Sequence, residues 1–224
     1  MPRSHGSSSH RRVLALGLLA AASAFAAGLV TLRFSLSGSW HYRNLLWNLA
    51  LAWVPLGLAL LAYDRARRGA SVLGLALPLG AWLLFLPNAP YLLTEFKMLR
   101  EVDGMPLWYD VTMLIAFAWT GLLLGFVSVF LVQSIARRAA GSRAGWACAL
   151  GSLTASGLGI YLGRSLHWNS WDLLLQPAGV LGDIARDLDS PRLLGMSLAI
   201  GTFLTLAYLM LYTMLEAAVE ERAE

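Results

Sequence analysis

Charged residues are scarce in this chain. They make up 13% of its 224 residues, while hydrophobic residues make up 58%, and a typical soluble domain carries about 25% charged residues. A chain with so little charge lacks the polar surface that a soluble protein of this size needs. The composition therefore excludes a soluble globular domain. It predicts an integral membrane protein whose surroundings are the lipid bilayer.

Cysteine is nearly absent as well. Cys148 is the one cysteine and lies in an apolar run, so an intramolecular disulfide is excluded and the thiol content says nothing about compartment. The net charge of +4 comes from arginines in short stretches between apolar runs, which is the topology signal of a membrane protein. We therefore expect no nucleic-acid partner.

Strands are not expected, because alternation with a period of two is absent and an open sheet edge is not satisfied in lipid. Instead, six apolar runs are long enough, or nearly so, to cross a hydrocarbon core that needs about 20 helical residues. The predicted fold is all-α, a polytopic bundle of about six transmembrane helices. The predicted spans are residues 13–32, 45–63, 69–86, 111–132, 144–162 and 193–215.

The spans define one bundle domain at residues 13–215, between a polar tail at 1–12 and an acidic tail at 216–224. Ten Lys and Arg residues fall on the side of the N-terminus and seven on the other side, so both termini are predicted to be cytoplasmic. The first apolar run is longer than the apolar core of a signal peptide, and we expect this helix to be retained. Residues 92–101 and 173–188 are predicted to form interfacial helices on the outer surface. The alternative is loop helices that cap the bundle.

Proline and glycine mark points of special geometry. Pro87 and Pro90 flank Asn88, where the third helix either stops or exposes backbone groups to Asn88 or to a ligand. Two small-xxx-small patterns permit close helix crossing, most often within one chain. These patterns are Gly121 with Gly125 and Gly159 with Gly163.

Polar and aromatic residues are concentrated at helix ends that the predicted topology brings to the outer side. Asn, Asp, Glu and Arg are interleaved there with Trp and Tyr, which goes beyond the aromatic belt of a membrane protein. A six-helix bundle can bring these ends together around one pocket. The candidate ligand-binding residues are Asn48, Asn88, Tyr91, Tyr109, Arg164, His167, Trp168, Asn169 and Trp171.

Several of these polar residues also have a structural interpretation. An amide at Asn48 needs a partner in lipid and could join two helices by bonding to a carbonyl that a proline leaves free. Asp110 stands just before the predicted fourth helix and could cap its N-terminus. Arg164 could form an ion pair with Asp110, Asp172 or Glu95.

Three carboxylates are the candidates for catalysis or for metal binding. Glu95, Asp110 and Asp172, with Asn88 or Asn169, would supply the oxygen ligands that Mg²⁺ and Ca²⁺ prefer. No spacing in the sequence demands a metal. A divalent cation is therefore the one cofactor suggested, and enzymatic activity stays open.

Histidine gives a weaker catalytic signal. His167 and Asp172 have the H-x4-D spacing of glycerolipid acyltransferases, which arises readily by chance in a chain with four histidines and thirteen acidic residues. A Ser-His-Asp arrangement would need Ser165 or Ser170 near His167, and a nucleophile elbow is absent. We do not base a function on this spacing.

Long motifs identify a family. Residues 47–53 (WNLALAW), 86–96 (LPNAPYLLTEF), 107–110 (LWYD) and 160–172 (IYLGRSLHWNSWD) follow in this order. With them the chain resembles, over residues 44–175, a bacterial membrane family, domain of unknown function 1361. The resemblance implies a multi-pass inner-membrane protein and lends no activity. The family usually has arginine at His167, which counts against an essential histidine base, and aspartate at Glu95, which keeps an acidic role open.

Three hypotheses follow for the function. The first is an enzyme or binding protein for a lipid or envelope molecule, with Arg164 on an anionic head group and Trp168 and Trp171 against an apolar or sugar part. The second is a small transporter or channel, although no charged residue falls clearly at mid-membrane. The third is a scaffold subunit, which predicts an outer surface without a concavity. Oligomeric state is not determined by the sequence.

Overall fold

The computed structural model describes residues 5–99 and 105–221, and within them every regular element is helical. This confirms the predicted all-α class. The elements are α1 (His5–Ser37), α2 (Asn44–Arg67), α3 (Val72–Phe85), α4 (Asn88–Tyr91), a 3-10 helix (Leu92–Met98), α5 (Leu107–Ser165), α6 (Asp172–Leu175), α7 (Pro177–Asp187) and α8 (Pro191–Glu220).

Five of the described helical segments are long and apolar enough to cross a membrane. The longest, α5, consists of two helices joined end to end. Its backbone leaves helical dihedrals at Ala140 and Gly141, and Gly141 has a φ of 85°, a conformation that glycine adopts without strain. We call residues 107–139 α5a and residues 142–165 α5b. They correspond to the predicted fourth and fifth spans.

The helices extend beyond the apolar runs at both ends of the described chain. α1 begins at His5 and α8 ends at Glu220, so helix continues into both predicted tails. A hydropathy pattern detects the part of a helix that faces lipid, whereas backbone hydrogen bonding continues into the polar turns beyond it. Residues 1–4 and 222–224 of the two predicted tails lie outside the described residues.

The third predicted span differs most from the structure. Gly69, predicted to begin it, has a φ of 78° and ends α2, while the Ser71 side chain caps the start of α3 by accepting from the backbone N–H of Gly74. At the other end of this span, the helical backbone does not end at Pro87. Leu86 stays in helical geometry, and the backbone continues through a turn into α4 and the 3-10 helix.

The 3-10 helix replaces the first predicted interfacial helix. With three residues per turn, Leu92 and Glu95 share one face, and both are buried in the bundle. This agrees with the alternative of a loop helix that caps the bundle. Residues 100 and 101, the end of the predicted element, lie outside the described residues.

The short helix α4 lies between α5a and α5b, and glycines on both allow its close approach. A Cβ atom at Gly121 would collide with the carbonyl oxygen of Ala89, and one at Gly159 would collide with the ring of Pro87. Similarly, Cβ atoms at the second glycines of the two patterns would lie 3.3 Å from α4. The nearest atoms would be in the Ala89 side chain for Gly125 and in the Tyr91 ring for Gly163. Both small-xxx-small patterns therefore serve packing within the chain, as predicted.

The core consists of two apolar clusters that meet along α5a. The first is formed mainly by α1, α2 and α5a, with Leu45, Leu56 and Phe117 fully buried. The second joins α3, α5b and α8, with Trp82 and Leu204 buried. Between α2, α3 and α5b, at the end of the bundle where α4 lies, the packing leaves a space.

Candidate functional site

This space is a cavity of about 520 Å³ between α2, α3 and α5b. The segment between α5b and α6 lines one end of the cavity, and Val180 of α7 also lines it. The apolar part of the wall consists of Leu51, Leu83, Leu84, Leu158, Leu162 and Leu173, together with small residues of α3 and α5b. The polar and aromatic part consists of Trp47, Asn48, Asn88, Tyr91, His167, Trp168, Asn169 and Ser170.

Six of the predicted site residues line this cavity, although they come from three separate stretches of sequence. They are Asn48, Asn88, Tyr91, His167, Trp168 and Asn169. The leucine wall was not predicted, because leucines facing a cavity and leucines facing lipid have the same helical spacing in the sequence. The predicted convergence is thus found for half of the site residues.

The end of α5b places three of these residues at the mouth of the cavity. The helix ends at Ser165, and His167 takes a φ of 62°, in the left-handed region. Among residues other than glycine, histidine is one of the few enriched in that region. The reversal directs the backbone N–H of Trp168 back to the Leu162 carbonyl oxygen, over 3.1 Å. The chain then returns across the cavity through Asn169 instead of leaving the bundle.

Two hydrogen bonds hold α7 against the cavity. The Trp168 indole donates from Nε1 to Oδ2 of Asp183 over 3.0 Å, and the Tyr161 hydroxyl donates to Oδ2 of Asp187 over 2.7 Å. Trp168 also packs beside Gly179, which leaves room for the ring. Helices were predicted at residues 173–188, and α6 and α7 confirm them. The sequence did not show that α7 would lie against the cavity.

Asn88 joins the start of α4 to the loop after α5b. Its Nδ2 donates to the Phe85 carbonyl oxygen over 2.9 Å and to Oγ of Ser170 over 2.7 Å. The first bond satisfies a carbonyl at the end of α3, as expected for a backbone that changes direction before a proline. The second places Ser170 on the cavity wall.

A buried polar cluster lies directly behind that wall. The Nδ2 of Asn48 donates to Oε1 of Glu95 over 3.2 Å, and the same oxygen lies 3.8 Å from Nη1 of Arg164. Arg164 also donates from Nη2 to the Thr94 carbonyl oxygen over 2.9 Å and lies over the Tyr91 ring. The expected partner of Asn48, a carbonyl freed by a proline, was wrong. Of the three acids predicted for Arg164, the structure selects Glu95.

A second buried cluster is an ion pair that the sequence did not reveal. Arg33 donates from Nε and Nη2 to the two oxygens of Asp110 over 2.7 and 3.1 Å, and the Tyr42 hydroxyl donates to the same carboxylate. The N-cap interpretation of Asp110 was wrong, because Pro106 stands at that position and Asp110 lies within the first turn of α5a. The sequence gives one indication of this pair. A lone arginine stands near the end of the first apolar run, and a lone acid stands near the start of the fourth.

Three further predicted residues have local roles outside the cavity. Asp172 accepts from the backbone N–H and Nδ2 of Asn169, over 2.7 and 3.0 Å. The Tyr109 hydroxyl donates to the Leu29 carbonyl oxygen over 2.8 Å. Trp171 stands at the N-terminus of α6. None of these three is among the side chains that line the cavity.

The candidate catalytic and metal-binding carboxylates are distributed over three places. Glu95 bonds to Asn48, Asp110 to Arg33 and Asp172 to Asn169. Among the described residues, no group of three His, Cys, Asp or Glu side chains could hold a metal ion. The structure therefore does not assemble the predicted divalent-cation site from these acids, and it does not place Arg164 on the cavity wall.

The all-helical fold and the apolar spans define a multi-pass integral membrane protein. A family model described as protein of unknown function (DUF1361) matches residues 47–207. Because the match covers well over half of the chain, the chain belongs to this family, as the motifs indicated. Every residue that lines the cavity lies within the matched region. No curated protein and no solved structure matches the chain.

Proposed function

We propose that this protein binds an amphiphilic molecule of the lipid class, with its polar group at the mouth of the cavity and its apolar part along the leucine wall. The observation that carries the proposal is the division of the cavity wall. Asn88, His167, Asn169 and Ser170 lie at one end, and leucines of α2, α3 and α5b form much of the apolar part of the wall. Ligand pockets commonly measure about 300–1,000 Å³ and have a mostly apolar wall with a few polar groups.

The dimensions suit an extended apolar group. Along α3 and the turn that follows it the wall runs from Gly80 to Pro87, and along α5b from Ala155 to Gly163. At 1.5 Å per helical residue these stretches are roughly 10 and 12 Å long. That length accommodates the upper part of an acyl or prenyl chain, and the rest of the chain would extend beyond the wall into lipid.

The rim of the cavity favours entry from the side. Trp47 is 60% exposed and Leu83 is 46% exposed, although both line the cavity. Exposed apolar residues on a transmembrane helix face the hydrocarbon core of the bilayer. A lipid could therefore enter between α2, α3 and α5b without leaving the membrane.

We place the cavity in the outer leaflet of a bacterial inner membrane, with both termini cytoplasmic. The arginine distribution supports this orientation, because the opposite end of the bundle carries exposed basic residues at the end of α2 and around the bend in α5. Those residues are Arg65, Arg67, Arg68, Arg137, Arg138 and Arg143.

Binding accounts for the geometry better than catalysis does. The candidate acid-base groups Glu95, Asp110 and Asp172 do not line the cavity, and neither does Arg164, which was expected to contact an anionic head group. The scaffold alternative predicted no concavity on this side, and the cavity counts against it. No contact among the described residues specifically favours the transporter or channel alternative.

Native mass spectrometry of the detergent-purified protein tests the proposal. Gly80 lines the cavity, and a Cβ atom there would meet nothing within 4 Å. The side chain of Gly80→Leu should therefore extend from open space at the cavity wall and displace a bound amphiphile. Gly57→Leu is the matched control, since Gly57 is an exposed glycine in the middle of α2 with equally open surroundings. Equal amphiphile occupancy in the two variants would contradict the proposal.

A further inference from the structure

We infer that the polar end of the cavity selects an uncharged head group rich in hydroxyls, such as a sugar or polyol. The inference rests on the proposed function and deepens it. It follows from the hydrogen bonds of three asparagines, Asn48, Asn88 and Asn169, whose amide nitrogens bond within the protein. All three line the cavity, and each donates its amide hydrogen to an acceptor of the protein.

Asn88 shows the pattern most completely. An asparagine amide has two N–H donors and one oxygen that accepts. Both donors of Asn88 are used, by the Phe85 carbonyl oxygen and by Oγ of Ser170. Because a carbonyl oxygen only accepts, the bond to Phe85 fixes which end of the amide is nitrogen. The Oδ1 atom of Asn88 accepts no hydrogen bond from the described residues and is not enclosed, so it is available to a ligand.

Asn48 and Asn169 are oriented by carboxylates in the same way. Asn48 donates to Glu95, and Asn169 donates to Asp172. A carboxylate accepts hydrogen bonds, so each amide must turn its nitrogen toward the acid and its oxygen away. Within the described part of the chain neither Oδ1 atom has a donor. The buried acid Glu95 thus acts as a positioning residue that presents an amide oxygen.

Among its described residues, the wall of the cavity lacks the lysine and arginine side chains that commonly bind an anionic head group, although His167 and Ser170 could donate to one. None of the described residues that line it is Lys, Arg, Asp or Glu. The guanidinium of Arg164, in the polar cluster behind the wall, is directed to Thr94 and Glu95. The three amide oxygens and the oxygens of a phosphate or carboxylate all accept hydrogen bonds. Placing them opposite one another would leave these acceptors without donors, which is unfavourable. Hydroxyls, by contrast, donate to such oxygens.

Aromatic residues beside these oxygens favour a sugar ring. Tyr91 and Trp168 both line the cavity, and Trp168 is held in place by its bond to Asp183. Rings of this kind present large apolar faces together with a polar tip. The apolar C–H face of a pyranose can lie on such a surface while its hydroxyls reach the asparagines. A quaternary ammonium would also be attracted to aromatic faces, and the experiment includes it.

Photo-crosslinking with matched lipid probes tests the inference. Four probes share a diacylglycerol body with a diazirine in one acyl chain and differ in the head group: glucosyl, phosphate, trimethylammonium or none. Each is added to the full-length protein in nanodiscs, and adducts are mapped by mass spectrometry to residues 80–91 and 155–169. Glucosyl labelling should exceed phosphate and bare diacylglycerol labelling about tenfold, the ratio that two or three hydrogen bonds provide.

Two variants separate the amide oxygens from the rest of the cavity. Asn169→Ala removes an exposed amide at the mouth and should lower the preference for the glucosyl probe over bare diacylglycerol about threefold. Asn44→Ala, which removes an exposed asparagine at the start of α2 outside the cavity, should leave this preference unchanged. Stronger labelling by the phosphate or ammonium probe, equal labelling by all four, or an unaltered preference in Asn169→Ala would overturn the head-group inference alone. Absence of cavity labelling with every probe would overturn the proposed function as well.

Discussion

Asn48 and Glu95, 47 positions apart in the chain, are joined by a hydrogen bond of 3.2 Å from Nδ2 to Oε1. The bond links a helix that lines the cavity to the buried 3-10 helix behind it. Glu95 had been a candidate catalytic acid, and Asn48 a candidate ligand contact. The structure gives them one joint role, in which a buried acid orients an amide that faces the cavity. Arg164 balances the charge of that acid.

The ion pair between Arg33 and Asp110 should be essential for stability. Both side chains are almost fully buried, at 1% and 2% exposure, and Asp110→Ala would leave the guanidinium without its carboxylate. We expect a loss of about 3–5 kcal/mol in the free energy of unfolding, measured by denaturant titration in detergent. Asp64→Ala is the control, because its pair with Arg12 is 39% exposed on each side and should matter by less than about 1 kcal/mol. Equal losses would show that burial does not determine the effect.

The glycines that contact α4 should not tolerate a methyl group. In Gly159→Ala the new Cβ would collide with the Pro87 ring, and in Gly121→Ala with the Ala89 carbonyl oxygen. Each variant should lose about 1–3 kcal/mol through overpacking. The exposed Gly151 has nothing within 4 Å of a Cβ atom, so Gly151→Ala should be neutral or slightly stabilising. Thermal unfolding of the three variants measures the difference, and a destabilised Gly151→Ala would refute the packing explanation.

The sequence predicted the fold well because helical spans in lipid require long apolar runs, and such runs are visible without knowledge of contacts. Half of the predicted site residues also reached one cavity, because helix ends on one side of a bundle must meet. The pairing of side chains could not be predicted. Arg33 and Asp110 are 77 positions apart, and only the packing of α1 against α5a brings them together. Likewise, the prolines at 87 and 90 indicated either a helix stop or exposed backbone groups. The sequence did not show that glycines on α5a and α5b would allow α4 to pack between those two helices.

The proposed orientation predicts which engineered cysteines are accessible. In a Cys148→Ala background, a cysteine at Asp189, before α8, should react with an impermeant thiol reagent added from the periplasmic side. A cysteine at Ser142, beside the bend of α5, should not react until the membrane is permeabilised. The reverse pattern would invert the proposed topology. Gly104, which is expected to label like Asp189, lies outside the described residues.

The indole of Trp168 should control how firmly α7 is held. Trp168→Phe keeps an aromatic ring but removes the hydrogen bond to Asp183. Amide hydrogens of residues 177–187 should then exchange several times faster, since one hydrogen bond contributes about 0.5–1.5 kcal/mol. Exchange in α2 and α5a should not change. In Asp183→Asn an acceptor oxygen remains, and protection should be retained. Faster exchange across the whole bundle in Trp168→Phe would show that the residue supports the fold instead.

The cavity should hold an amphiphile in the purified protein, and crosslinking from the cavity wall detects that molecule in place. A leucine analogue bearing a diazirine is placed at Leu158, on the cavity wall, or at Leu77, which is 80% exposed on α3 and does not line the cavity. The protein is exchanged into detergent, irradiated and analysed by mass spectrometry. We expect an adduct of one cellular lipid class at Leu158 and an adduct of detergent at Leu77. Detergent adducts at both positions would contradict this expectation.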